Sequence, residues 1–176
     1  MKKRLITLWM ALLLMLIPAG CTTAPSCPDV HAAVDTDMTL QYGKTEYTCH
    51  VRYVTKNNAV LTLLSPENLS GLTFHRSDSI CTLSLGTLVC KGTQLLPQDT
   101  ALAEAVFSVF DRLADPALSC TGTTSDGNYT FALSSAPALS LITDSSGQPL
   151  SIRTDTLCLT RTHQEETAAP AAPSSD

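Results

Sequence analysis

A chain of 176 residues is the length of one ordinary domain, which runs to about 100–200 residues. With 44 % hydrophobic and 15 % charged residues it holds enough apolar material for a packed core, which excludes wholesale disorder. The formal net charge is −5, and three of the eleven basic residues lie at positions 2–4, ahead of all sixteen acidic ones, so a chain cut before Cys21 keeps eight against sixteen and carries −8. That excess excludes a broad electrostatic grip on nucleic acid or anionic lipid, and membrane contact has to come from an anchor.

Such an anchor is legible at the start. Lys2, Lys3 and Arg4 precede an apolar run of about thirteen residues, Leu5 to Ile17. The run is short of the ~20 residues that span a bilayer and suits the apolar stretch of an export signal. Pro18-Ala19-Gly20-Cys21 follows and resembles the lipobox of bacterial lipoproteins, with Pro18 where an aliphatic residue is usual. The resemblance implies a signal peptide over residues 1–20, cleavage before Cys21 and acylation of the Cys21 sulfur. A secretory peptide cut near Ala19 and an uncleaved membrane anchor are the alternatives. Two acyl chains hold a protein at a membrane where one is marginal, each buried methylene contributing about 0.8 kcal/mol.

Residues 21–36 are polar, contain Pro25 and Pro28, and read as a lipidated flexible tether. The body, 37–162, then alternates like a set of strands. Met38, Leu40 and Tyr42 share one face up to a turn at Gly43-Lys44; Tyr47, Cys49, Val51 and Tyr53 share one face of the next strand, with Glu46, Thr48, His50 and Arg52 opposite. Asn57-Asn58 marks a turn before Ala59–Leu64, and further strands are expected at Leu72–His75, Ile80–Leu85 and Thr87–Lys91.

One helix follows. Asp99 or Thr100 can cap it, with Pro97 just outside, and Leu102, Ala105, Val106, Val109, Phe110 and Leu113 recur at helical spacing before Asp115-Pro116 stops it. Leu102, Val106 and Phe110 are candidates to line a pocket for a lipid, although such a stripe is more commonly the buried face of a helix. Four more strands are expected at 117–121, 128–133, 139–143 and 150–161, the last broken near Asp155. The fold class is therefore mainly β (α+β), a curved antiparallel half-barrel sheet wrapped over one main helix. His163–Asp176, rich in Ala, Pro, Ser and Glu, reads as a disordered tail.

Six cysteines remain beside Cys21, an even number compatible with disulfides in an exported chain. If Leu85-Gly86 is a two-residue hairpin loop, Cys81 faces Cys90 at a non-hydrogen-bonded site. The Cα atoms there approach to about 4.5 Å, within disulfide range. A Cys81–Cys90 bond would contribute roughly 2.5–3 kcal/mol by loop closure; two thiols packed side by side is the alternative. Cys49, among apolar neighbours, reads as core.

No Cys-x-x-Cys, His-x-His or His-x₃-His spacing points to a metal, and no phosphate-binding glycine loop, Gly-x-Ser-x-Gly or His-Glu-x-x-His points to a catalytic site. No cofactor is expected. His75-Arg76-Ser77-Asp78 reads as a turn and His50 as part of a solvated strand face.

Pro66-Glu67-Asn68-Leu69-Ser70-Gly71-Leu72-Thr73-Phe74 after a hairpin, two short strands, a helix, and a late Ser146-Gly147-Gln148-Pro149-Leu150 turn resemble the LolA-like group of bacterial lipoproteins over residues 36–162. The nearest likeness is to the GerS group of germination lipoproteins. The resemblance implies an unclosed antiparallel barrel with helices on its concave side and no catalytic residues. It also implies one of two roles: binding an envelope protein such as a cell-wall amidase, as in the GerS group, or carrying a lipid, as in the wider group. The short, proline-broken 22–36 segment lacks the long N-terminal helix of the carriers.

Overall fold

The computed structural model describes residues 26–78, 80–92 and 97–162, with side chains in the helix from Leu102 onward. The signal peptide, Cys21 and the 163–176 tail lie outside these residues. Eleven strands form a single open, curved, antiparallel sheet: β1 Val34–Tyr42, β2 Thr45–Thr55, β3 Asn58–Ser65, β4 Thr73–Ser77, β5 Ile80–Leu85, β6 Leu88–Gly92, then after the helix β7 Ser119–Thr123, β8 Tyr129–Leu133, β9 Leu139–Thr143, β10 Pro149–Arg153 and β11 Leu157–Arg161. Their order is β6-β5-β4-β3-β2-β1-β11-β10-β9-β8-β7, two meanders joined where β1 meets β11. Among the described residues the one α-helix, α1, spans Pro97–Leu113 and connects one edge strand to the other; a short 3-10 turn lies at Glu67–Leu69. The expected class is met, with the last predicted strand divided into β10 and β11 around Thr154–Thr156.

Period-two alternation decides which face becomes the core. Register aligns the inward residues in rows running across the sheet. Cys120, Phe131, Leu141, Ile152, Leu159, Leu40 and Tyr47 form one row from β7 to β2. Val51, Leu61, Phe74, Leu83 and Cys90 form another from β2 to β6. Leu40, Leu159, Ile152, Val51 and Leu61 have no exposed surface, and burial falls away toward both edges. Helix α1 lies against the middle of this face through Ala103, Val106, Phe107, Val109, Phe110 and Leu113, all buried. It starts at Pro97, not beyond it; the fixed φ of proline and its missing N–H suit a first helical position.

Two further expectations are corrected. The β5–β6 loop is Gly86-Thr87, not Leu85-Gly86, with Leu85 opposite Leu88. Gly86 takes φ +57° at the first loop position, where a two-residue hairpin favours glycine. This register puts Cys81 opposite Gly92 and Cys90 opposite Leu83. The two thiols are diagonal neighbours on one face, and both are free.

The supposed tether is also held from Cys27 onward. Cys27 is bonded to Cys120 on the edge strand β7, across 93 residues. Such a loop closure contributes about 4–5 kcal/mol on the chain-entropy argument. His31 donates its backbone N–H to the Gly147 carbonyl at 3.0 Å, and Val30 and Ala32 pack on the core. β1 then begins at Val34, inside the segment expected to be loose. Residues 27–33 thus form a strap across the β7–β10 half of the sheet.

The strap depends on Gly147. This residue has φ +84° in the β9–β10 turn, and a Cβ there would collide with the backbone carbonyl of Asp29. Gly43 has φ +60° in the β1–β2 turn but has open space around it. Gly43→Ala should cost only the left-handed strain, about 1–2 kcal/mol. Gly147→Ala should cost more and should also raise hydrogen exchange at His31. Urea unfolding and exchange on the two variants measure this; equal costs without a change at His31 would refute the packing argument.

Candidate functional site

The three ligand-binding candidates fall on α1, but the helix uses them for packing. Val106 and Phe110 have no exposed surface and Leu102 packs at the margin of the core. They sit on the concave side and cover part of it, because a one-layer sheet must cover its apolar face with something. Among the described residues, clefts open at the margins of the sheet. One, about 610 Å³, opens between the β1–β2 and β10–β11 turns beside Tyr42, Gly43, Arg153 and Asp155. A smaller one, about 310 Å³, separates the strap at Pro28 and Val30 from Leu113, Leu118 and Phe131.

The polar group that fixes the helix was not expected. Arg76 is in strand β4 and not in a turn; the turn starts at Asp78, which takes φ +53°. Alternation places Arg76 inward with Phe74, opposite Ala59 and Cys81. There its guanidinium bonds Asp111 of α1 through both terminal nitrogens, at 3.1 and 2.7 Å, and Tyr53 donates its hydroxyl to the same carboxylate at 2.7 Å. The guanidinium carbon lies 4.9 Å from the centre of the Phe107 ring, and Tyr53 stacks on Phe110 with centroids 5.3 Å apart. Burial, with the Asp111 carboxylate beside it, pushes the Tyr53 hydroxyl well above its ordinary pKa. A parity count along β4 would have revealed Arg76 as an inward cation in need of a carboxylate; its partner lies 35 residues on.

His50 is on the convex face, as its strand pattern implies, but it is not merely solvated. Nδ1 lies 2.7 Å from Asp37 and Nε2 2.9 Å from Asp35, both on β1. Only the imidazolium, with two N–H groups, can donate to both carboxylates. The Asp37 hydrogen bond is the largest cause raising the pKa of His50; partial burial opposes it and Asp35 adds to it. At 40 % side-chain exposure the pairing is screened by water and salt.

The cysteines have separate roles. Cys49 is fully buried and its thiol donates to the Met38 carbonyl at 3.4 Å; burial first, then the Asp37 charge, pushes its pKa up to about 12, so it is inert core. Burial and the charge of Glu104 raise Cys81, against a smaller opposing effect of Arg76. Cys90 is exposed on the edge strand β6. Around it lies an uncovered apolar patch. Leu85 and Leu88 face each other on the helix side of the hairpin, 39 % and 71 % exposed, while Ile80 and Val89 are exposed on the opposite side. Among the described residues no group of three His, Cys, Asp or Glu side chains is placed to hold a metal ion.

No protein-family model matches the chain, and no curated protein matches it. Among solved structures, the chain is similar to a LolA superfamily protein from Nitrosomonas europaea, at 10 % identity and a TM-score of 0.31. The match covers 67 % of this chain and 60 % of that one, so the chain spans about three fifths of that protein's length.

Two measurements check the electrostatics. Asp111→Ala, which leaves Arg76 buried and alone, should cost about 3 kcal/mol, whereas Arg76→Met with Asp111→Leu should cost less than either single change. Urea denaturation of the three variants gives the comparison. In an NMR titration His50 should ionise above the ordinary value of about 6.5, and Asp37→Asn should lower its midpoint more than Asp35→Asn does. Because the folded pKa is the higher one, the stabilisation from His50 is complete below the unfolded value and is lost as pH rises through the folded one.

Proposed function

We propose that this chain is a non-enzymatic lipoprotein of the bacterial cell envelope. In this reading it is acylated on Cys21 and held on the extracytoplasmic face of the membrane, where its body binds another envelope protein such as a cell-wall enzyme. The lipobox-like Pro18-Ala19-Gly20-Cys21 supports the anchor, and the Cys27–Cys120 disulfide fits an oxidising compartment. One observation favours binding over carriage: Val106, Phe107 and Phe110 occupy the middle of the concave face with no exposed surface, where a carried lipid would lie. The GerS-group resemblance agrees with that reading.

The polar clusters fit structural work. Asp111 takes both terminal nitrogens of Arg76 and the Tyr53 hydroxyl, leaving the buried Arg76 Nε as the one polar atom of this cluster without a partner among the described residues, and both ring nitrogens of His50 are engaged. What is left for recognition is the apolar β5–β6 patch. Its Leu85 and Leu88 lie on the helix side, and they are the observation that favours the second reading, a lipid or other apolar ligand held at the uncovered end of the concavity.

Crosslinking in membranes separates the two. Wild-type chain should crosslink to one specific envelope protein, and Leu88→Asp with Val89→Asp should abolish that product while the chain still folds. Intact mass of the extracted protein should begin at Cys21 and carry diacylglyceryl. Native mass spectrometry showing bound lipid that Leu88→Asp removes, without a specific crosslink, would replace the binding reading by the carrier reading.

A further inference from the structure

The disulfide determines where the domain leaves its anchor. Cys21 and Cys27 are six residues apart, which is at most about 20–22 Å of fully extended chain. Without the bond the next hold on the strap is the His31–Gly147 hydrogen bond, ten residues from Cys21 and at most about 33–36 Å of chain. The bond therefore removes a large share of the reach and ties what remains to one place, the outermost strand β7.

That edge has the surface a bilayer tolerates. Strand β7 itself contains no Asp, Glu, Lys or Arg, and Thr121, Gly122 and Thr123 are exposed along it; the exposed carboxylates nearest in sequence to β7 and to Cys27 are Asp126 in the following turn and Asp29 on the strap. An uncharged edge can approach anionic headgroups without the repulsion that the acidic remainder would meet. The opposite edge is ten strand spacings away, about 48 Å at 4.8 Å each measured along the sheet, and carries the exposed Leu88 and Val89.

Resting on the anchor proposed above, we infer that the Cys27–Cys120 bond docks the domain edge-on against the lipid surface. Strand β7 is the membrane-facing edge, and the apolar β5–β6 hairpin is held outward, away from the bilayer. The bond acts as a tether clamp, and the membrane surface is the partner of β7.

Energy transfer from the protein to an acceptor on lipid headgroups tests this with the full-length acylated chain in phosphatidylcholine–phosphatidylglycerol vesicles. Donors are placed on the native Cys90 in a Cys81→Ser, Cys158→Ser background, and on Thr123→Cys in that background with Cys90→Ser added. Transfer from position 123 should exceed that from position 90, since the two lie on opposite edge strands. Removing the clamp by Cys27→Ser with Cys120→Ser should shrink the ratio toward one. If that pair unfolds, ten Gly-Ser residues inserted between Thr23 and Ala24 keep the disulfide and should still lower transfer from position 123. Flotation with the vesicles reads the anchor separately. A chain that does not float overturns both the anchor and the docking. A chain that floats with equal transfer from both positions, or with more from Cys90, overturns the docking alone.

Discussion

A single sheet has two faces, and the described residues hold one α-helix with which to cover one of them. Everything else follows from that constraint. The inward rows of Leu, Ile, Val and Phe are continuous from strand to strand, so their burial needs a cover that touches both meanders, and α1 is the connection that passes between them. With Phe107 and Phe110 pressed into the middle of the rows, the concavity becomes a core. Toward the β6 end of the same face, Leu85 and Leu88 remain exposed.

Dispersion and area burial alone would leave the helix free to slide along an apolar trough, because such contacts have little direction. Arg76 and Asp111 supply the direction. A bidentate guanidinium–carboxylate pair has one good geometry, and with Tyr53 on the same carboxylate it ties α1 to β2 and β4 at one point. The strap does the corresponding work on the other half of the sheet. Its backbone comes against Gly147, Val30 packs on the core, and Cys27 closes the outer strand. The β7 edge is thereby tied down while the β6 edge keeps its apolar side chains uncovered. This asymmetry gives the molecule a fixed end and a free end.

Much of the architecture was legible from alternation. The two faces of β1 and β2, the helix between two groups of strands and the core placement of Cys49 are visible in the chain, because period-two and period-3.6 patterns are local. The pairing of cysteines was not. A choice of Gly86 as first or second loop residue moves the partner of Cys81 by two residues, and a hairpin with two cysteines invites the wrong one. Cys27 and Cys120, 93 residues apart, carry no local signal of each other. The pairing of His50 carries no signal along β2, because both of its carboxylate partners lie across on β1.

The sequence by itself determined which face of most strands turns inward and where the helix at Pro97–Leu113 stops, since those depend on side-chain polarity and φ/ψ preference within a few residues. Only the tertiary structure decided that the helix stripe covers part of the concave side, that Arg76 and Asp111 meet, and that the strap is stapled to the far edge. Each of those depends on distances between segments remote in the chain, and those distances are set only when the whole sheet has curved around its helix.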